Sequence, residues 1–349
     1  MSHQKKPYLV VPFFVEQPTW GGEYICKMKG WLEKEELRGK KIGQSYELYS
    51  KTLLATHISS TNDPLFSPSI DKAISVSEFK EARPFPLIKF TQAKGNSFQL
   101  HVRPGTSETY WQPKAESWYF LENGKITFGV KKGVDVDKYK TTCIAIDNEM
   151  KKLSEQVRSG SLTLSQAKQK AKEQIAIQNP WQFVNVHEVK KGDVVDLSGG
   201  GLHHSWEEDE NSTQGNIVYE VQQDVMDPVS TLRSFDQGKI KEDGTIREIQ
   251  IEKYFEYLDS NEKRNALSLK ESANGNLFDT PFYSLSLLSL SGKKKMESAS
   301  SFHHLFVKEG EIEVDNLVVG KGHSCFVPQG TQYEINSKTN SEVLLTFLR

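Results

Sequence analysis

Short runs of apolar, β-branched and aromatic residues recur along the chain, each cut off by Gly, Pro, Asn or Asp. PFPLIKF, SFQLHVR, ESWYFLE, GKITFGV, GDVVDL and GNIVYEVQ follow one another in the first two thirds. FYSLSLLSL, FHHLFVKEG, GEIEV and HSCFVPQG follow in the last third. Many short strands with frequent turns predict a mainly β protein, a sandwich or barrel. One stretch breaks the pattern. Residues 148–178 are rich in Lys, Gln, Glu, Ala and Leu, with Gly160 in the middle. They predict two helices, the second capped by Thr163 or Ser165, ending before Pro180.

The divisions follow from these shifts. Residues 1–134 and 181–240 form an N-terminal β domain with a helical insertion at 135–180. Residues 241–276 are a polar connection, and 277–349 a second β block. ENGKITFG with KKGDVVDLSGGG is echoed by GEIEV with GKGHSCFVPQG, which suggests two copies of one barrel.

Charge limits the partners. Lys and Arg number 44, Asp and Glu 46, and the net charge is −2 over 349 residues. Such a chain has no general field to draw in nucleic acid or an anionic membrane. An anionic substrate must be held by a few local cations. The first apolar run is broken by Pro12 and Glu16, which fits neither a signal peptide nor a spanning helix. Cys26, Cys143 and Cys325 are odd in number and far apart, as expected of free thiols in a reducing cytoplasm.

The alternation in Ser97-Phe98-Gln99-Leu100-His101-Val102-Arg103 is strict. Phe98, Leu100 and Val102 should face a core, and Ser97, Gln99, His101 and Arg103 the other side. A polar inner face on a strand marks a site, because buried polar groups need partners. Glu116 opens the next strand and is expected beside His101 across a hairpin. His203 and His204 follow a run of three glycines, read as a tight turn. Two imidazoles, a carboxylate and an amide oxygen can hold one divalent ion and leave a position open.

The ordered series resembles the type I phosphomannose isomerases, which are cupins. Their Gln-x-His strand is matched by Gln99-Leu100-His101, with Ser97 two residues before. Lys114-Ala115-Glu116 matches their Lys-x-Glu, and Pro86-Leu87-Ile88-Lys89 their Pro-Leu-hydrophobic-Lys strand. Gly192-Asp193, with Gly200 to His203, matches their Gly-Asp strand and Gly-x-x-His turn. Glu220-Val221-Gln222-Gln223 with Arg233, and Trp20-Gly21-Gly22, complete the set.

The resemblance implies two cupin-type jelly-roll barrels, the C-terminal one metal-free. It implies one zinc ion per chain, held by His101, Glu116 and His203 with Gln99 as fourth ligand. It implies a sugar-phosphate substrate and isomerisation of mannose 6-phosphate to fructose 6-phosphate through an enediol. Lys114 and Arg233 would be catalytic, and Ser97, Lys89 and Arg103 would bind substrate. Glu220 is expected to orient a histidine. His204 competes with His203 as ligand, and His101, His204, Lys114 and a metal-bound water compete as base. His303 and His304 should point to opposite faces and be structural.

The chain departs from the family at His101-Val102-Arg103-Pro104 and Ser198-Gly199-Gly200-Gly201, and between Gln223 and Arg233. A non-catalytic sugar-phosphate binder, or a different small-molecule metal cupin, are the rival readings.

Overall fold

The computed structural model describes residues 5–33, 35–55, 73–106, 110–206, 213–267, 269–270 and 274–348. The strands form three sheets, paired antiparallel throughout, and the ladders among the described residues run as open sheets rather than closed barrels. The mainly β expectation is met.

A five-stranded sheet runs in the order Val184–Val189, Gly124–Val130, Gly201–Ser205, Phe98–His101, Leu232–Phe235. A seven-stranded sheet runs Leu269–Lys270, Val194–Asp196, Glu116–Phe120, Asn216–Gln222, Leu87–Ala93, Ile42–Leu48, Phe13–Glu16. Their facing sides meet over Trp118, Phe120, Ile126, Phe128 and Val218. The period-2 rule then assigns every neighbour. Phe98, Leu100, Leu202 and Leu232 point away from this interface, toward helices. Ile88, Phe90, Tyr119, Tyr219 and Val221 point away on the other side, toward the C-terminal sheet. What remains on the facing sides of the two sheets is largely polar, and it is there that the cavity lies.

The two long helices among the described residues are Val136–Arg158 and Leu164–Gln178. Thr163 caps the second with a full capping box to Gln166, as its sequence suggests. The first starts a dozen residues before the stretch whose composition looks helical. Its opening segment, rich in Tyr, Thr and Ile, has weak helix propensity. A stripe of Tyr139, Cys143, Ile146, Met150 and Leu153 at helical spacing, buried on the five-stranded sheet, overrides it. The polar connection is also more than a linker. It holds the helix Ile251–Tyr257, whose Ile251 and Tyr254 enter the same core.

The ten-stranded sheet holds Gly275–Asp279 and the six later strands. It also takes three strands from the other end of the chain. Tyr8–Val11 pairs with Ser324–Val327, and Leu53–Ala55 and Ile74–Ser75 extend that edge. Three strands from residues 1–134 thus lie in the same sheet as the strands of the last third of the chain. Nothing in YLVV alone tells which sheet it will join. Between the seven- and ten-stranded sheets lies a dry polar lock. Lys29 Nζ is 2.8 Å from Glu47 Oε1, and both side chains are buried. Ser45 and Ser324 donate to the same carboxylate, at 2.6 and 2.8 Å. Among the described residues no helix is long and apolar enough to cross a membrane.

His304 belongs to this interface, bonded through Nδ1 to Tyr219 Oη at 3.1 Å, while His303 turns to Tyr333 on the opposite face. Burial pushes the His304 imidazole down to about 3, helped by Lys29 and opposed by a backbone bond to Glu47. An unfolded histidine titrates near 6.5. Between those values the unfolded chain takes a proton that the folded chain refuses, so stability is full above about pH 6.5 and falls as pH drops toward 3. Denaturant midpoints measured from pH 7.5 to 4.5 should fall less steeply in His304→Gln than in the wild type. Parallel curves would show that His304 carries none of the acid sensitivity.

Candidate active site and metal centre

Three side chains from different strands meet between the sheets. One ligand atom each from His101, Glu116 and His203 lies within 4.8 Å of the others, and all three residues are buried. His203 and His101 come from hydrogen-bonded neighbours of the five-stranded sheet, with Gly201 opposite His101 and His203 opposite Gln99. Glu116 faces them from the seven-stranded sheet. It is not their hairpin partner as the sequence suggests: it reaches His101 across the sandwich, with its Oε2 3.2 Å from Nε2.

The hydrogen bonds set the protons. His101 Nδ1 donates to the Ser230 carbonyl at 2.6 Å, and His203 Nδ1 to the Gly201 carbonyl at 3.2 Å. Each ring then presents a bare Nε2, and that of His203 is buried without a partner. Trp118 Nε1 donates to Glu116 Oε1 at 2.6 Å and turns the other oxygen toward the histidines. Burial pushes His203 down to about 3, with His101 adding to it, and lowers His101 together with Lys114. Burial alone would raise the Glu116 carboxyl, yet Lys114 and the two histidines hold it well below the usual carboxylate range. Two neutral imidazoles and a carboxylate with lone pairs converging in a dry place call for a cation. Imidazole nitrogens together with a carboxylate oxygen make a donor set for a divalent metal ion.

The glycine turn is what lets the strand begin here. Gly200 and Gly201 have φ of +68° and +101°, and a Cβ on Gly200 would stand 2.8 Å from the His101 carbonyl oxygen. Only glycine gives the close approach that presents the Gly201 carbonyl to His203.

Beside the triad opens a cavity of about 400 Å³ with Glu116 and Gln99 in its wall. Lys114, Lys89, Ser97 and Arg233 also line it. Lys114 Nζ is 3.4 Å from Glu116 Oε2 and 3.6 Å from Asp227 Oδ1. Arg233 Nη2 donates to Asp227 Oδ2 at 2.9 Å and Nε to Ser97 Oγ at 3.1 Å. Lys89 is held by Glu220 at 3.0 Å, and Thr91 donates to the other Glu220 oxygen. Glu220 thus steadies a lysine, not a histidine.

Two expectations change. Arg103 lies outside the cavity, bound to Asp259 at 3.0 Å and to the Gly199 carbonyl. The strand has already ended at His101, so the alternation that predicts its facing no longer applies. His204 turns to the helical side of its strand, sharing a hydrogen bond with Thr127 at 3.0 Å and another with Gln237, its ring against Phe98. The period of two that separates His203 from His204 settles which of them meets Glu116. Asp227 was missed in the sequence. The signal was the longer segment between Gln223 and Arg233, which folds into the turn Asp227–Ser230 and supplies both this carboxylate and the carbonyl for His101.

The fold matches that of solved structures over almost the whole chain. The mannose 6-phosphate isomerase of Bacillus subtilis is 17% identical with a TM-score of 0.61, covering 98% of this chain and 99% of that one. The apo mannose 6-phosphate isomerase of Salmonella typhimurium is 11% identical at 0.62, covering 99% and 100%. A zinc-bound mannose 6-phosphate isomerase is 13% identical at 0.63, with the same coverage. The chain has their fold. No protein-family model matches the sequence, and no curated protein matches it.

Metal analysis after dialysis against zinc should find one ion per chain. His101→Ala and His203→Ala should each weaken zinc by on the order of 100-fold or more in a chelator competition, while His204→Ala keeps wild-type affinity. Loss in His204→Ala with retention in His203→Ala would reverse the ligand assignment.

Proposed function

We propose that the protein is a zinc-dependent aldose–ketose isomerase that interconverts mannose 6-phosphate and fructose 6-phosphate in the cytoplasm. The observation that carries this reading is the buried His101–Glu116–His203 triad beside a polar cavity that also holds Lys114 and Arg233. The fold shared with mannose 6-phosphate isomerases supports it. Three buried free cysteines fit a reducing compartment.

Zinc would be held by His101 Nε2, Glu116 and His203 Nε2, with the amide of Gln99 as fourth donor, and would supply positive charge against the oxygens of an enediol. The chain's own residues do the rest. A proton must leave C2 and return at C1, which needs a group within reach of both carbons. Lys114 Nζ in the cavity wall is the group assigned to carry it, taking the C2 proton as the neutral amine and returning it at C1. His204 is turned away, and His101 has its Nδ1 bonded to the Ser230 carbonyl and its Nε2 assigned to the metal. Arg233 offsets negative charge on the sugar oxygens, and Asp227, shared between Arg233 and Lys114, keeps both side chains in register. Ser97 Oγ, already beside the Arg233 guanidinium, adds a donor for the phosphate end. Lys89 is balanced by Glu220 and serves the cavity as a neutral pair.

The zinc-loaded protein should convert mannose 6-phosphate to fructose 6-phosphate, lose the activity on chelation and regain it with zinc. Lys114→Met should cut kcat by roughly 100- to 10,000-fold with zinc content unchanged. If the zinc-loaded wild type forms no fructose 6-phosphate but mannose 6-phosphate still raises its melting temperature, the protein is a sugar-phosphate binder instead.

A further inference from the structure

The turn Asp227–Ser230 does more than present a carboxylate to the cavity. Its last carbonyl, that of Ser230, accepts the Nδ1 proton of His101 at 2.6 Å. A single helical turn of four residues cannot hold its own shape, because nucleating it fixes several dihedrals for one hydrogen bond. The Thr231 N–H closes this one on the Asp227 carbonyl at 3.0 Å. Pro228 at its start presets one φ. Tethers add to the hold. Ser230 Oγ donates back to the Met226 carbonyl at 2.9 Å, and the Gln112 N–H donates to the Val229 carbonyl at 2.7 Å.

Two further tethers end on Asp227. Thr231 Oγ1 donates to Asp227 Oδ1 at 3.2 Å, and Arg233 Nη2 donates to Asp227 Oδ2 at 2.9 Å. Arg233 Nη1 also reaches the Thr231 carbonyl at 3.3 Å. The guanidinium thus grips the turn at both ends. The strand that follows carries this geometry onward. Leu232 is paired with Leu100 and Arg233 with Gln99, so one step back along the antiparallel ladder Thr231 comes level with His101. Thr231 is 1% exposed, whereas the Asp227 side chain is 59% exposed and lines the cavity. One end of the turn is fixed in the interior beside a metal ligand, and the other stands in the cavity wall.

We infer that Asp227 and Thr231 are positioning residues for the zinc ligand His101. They act through the turn. By fixing the Ser230 carbonyl they hold the His101 ring in the orientation, and the tautomer, that presents a bare Nε2 to the metal. An acceptor on the far nitrogen of a ligating imidazole also raises its basicity, so a carbonyl that drifts weakens the metal bond. The inference rests on zinc occupying the triad and not on the identity of the sugar. It makes metal affinity depend on a Thr231 hydroxyl that neither lines the cavity nor belongs to the three ligands.

The test is a chelator competition for zinc on the full chain. Thr231→Val, which removes the hydroxyl without changing charge, should bind zinc roughly tenfold more weakly than the wild type. Thr231→Ser, which keeps the hydroxyl, should restore wild-type affinity. Asp227→Asn retains an acceptor for Thr231 and should lose less affinity than Asp227→Ala, although both lose the same charge. Asp227 is exposed, so this second pair carries the test should Thr231→Val fail to fold. In the zinc-loaded protein the nuclear resonance of the His101 Nδ1 proton should move upfield in Thr231→Val and hold its place in Thr231→Ser. Wild-type zinc affinity in Thr231→Val overturns the inference. Equal losses in Asp227→Asn and Asp227→Ala overturn it too, since charge alone would then account for them. Turnover is not read in this competition. A protein that shows the Thr231 effect but forms no fructose 6-phosphate would refute the isomerase reading alone. An active one whose zinc affinity is unmoved by Thr231→Val would refute the positioning role alone.

Discussion

Two backbone carbonyls govern this site. By accepting the Nδ1 protons of His101 and His203, those of Ser230 and Gly201 decide that two bare nitrogens face one carboxylate in a place water does not reach. Without a cation such an assembly of acceptors would repel itself, and the surrounding fold must hold it together. It does so from three directions: a glycine turn, a short helical turn before Arg233, and an indole on Glu116. Each lies on a different segment, so the triad exists only when both sheets are stacked.

The stack in turn needs a core on every side. The five-stranded sheet is backed by helices and the seven-stranded sheet by the C-terminal sheet, leaving the facing surfaces free to be polar. The second backing includes an ion pair with no exposure, Lys29 with Glu47. A buried pair contributes little compared with apolar packing of the same shape, but removal of one member costs about 3–5 kcal/mol. Its significance is geometric. Glu47 has a fixed set of donors from two sheets, so the sheets can dock in one register only.

Much of this was legible in the sequence, and the reason is periodicity. SFQLHVR gives its facing directly, because alternation is a local property of a strand, and Ser97, Gln99 and His101 lie on the side it predicts. Thr163 announces its helix for the same local reason. What was hidden depends on pairing at a distance. YLVV does not reveal that it joins Ser324–Val327. Arg103 lost its expected facing because the strand stops two residues earlier. Residues 241–276 read as a polar connection because Arg247 carries no pattern of its own, and only two turns and a bond to Arg233 bring it to the cavity.

The pairing of Tyr8 with Phe326 also bears on how the molecule is made. Loop-closure entropy has to be met before such a contact rewards it, and distant antiparallel pairing slows folding. On a ribosome the five- and seven-stranded sheets have nearly all their strands once the chain has passed Lys270, whereas the strand Tyr8–Val11 must wait for almost the last segment. During that interval Leu9 and the apolar back of the seven-stranded sheet have no cover. The half that carries the His101–Glu116–His203 triad is thus formed first and sealed last, and synthesis passes through a stage in which the cell must shield one sticky surface.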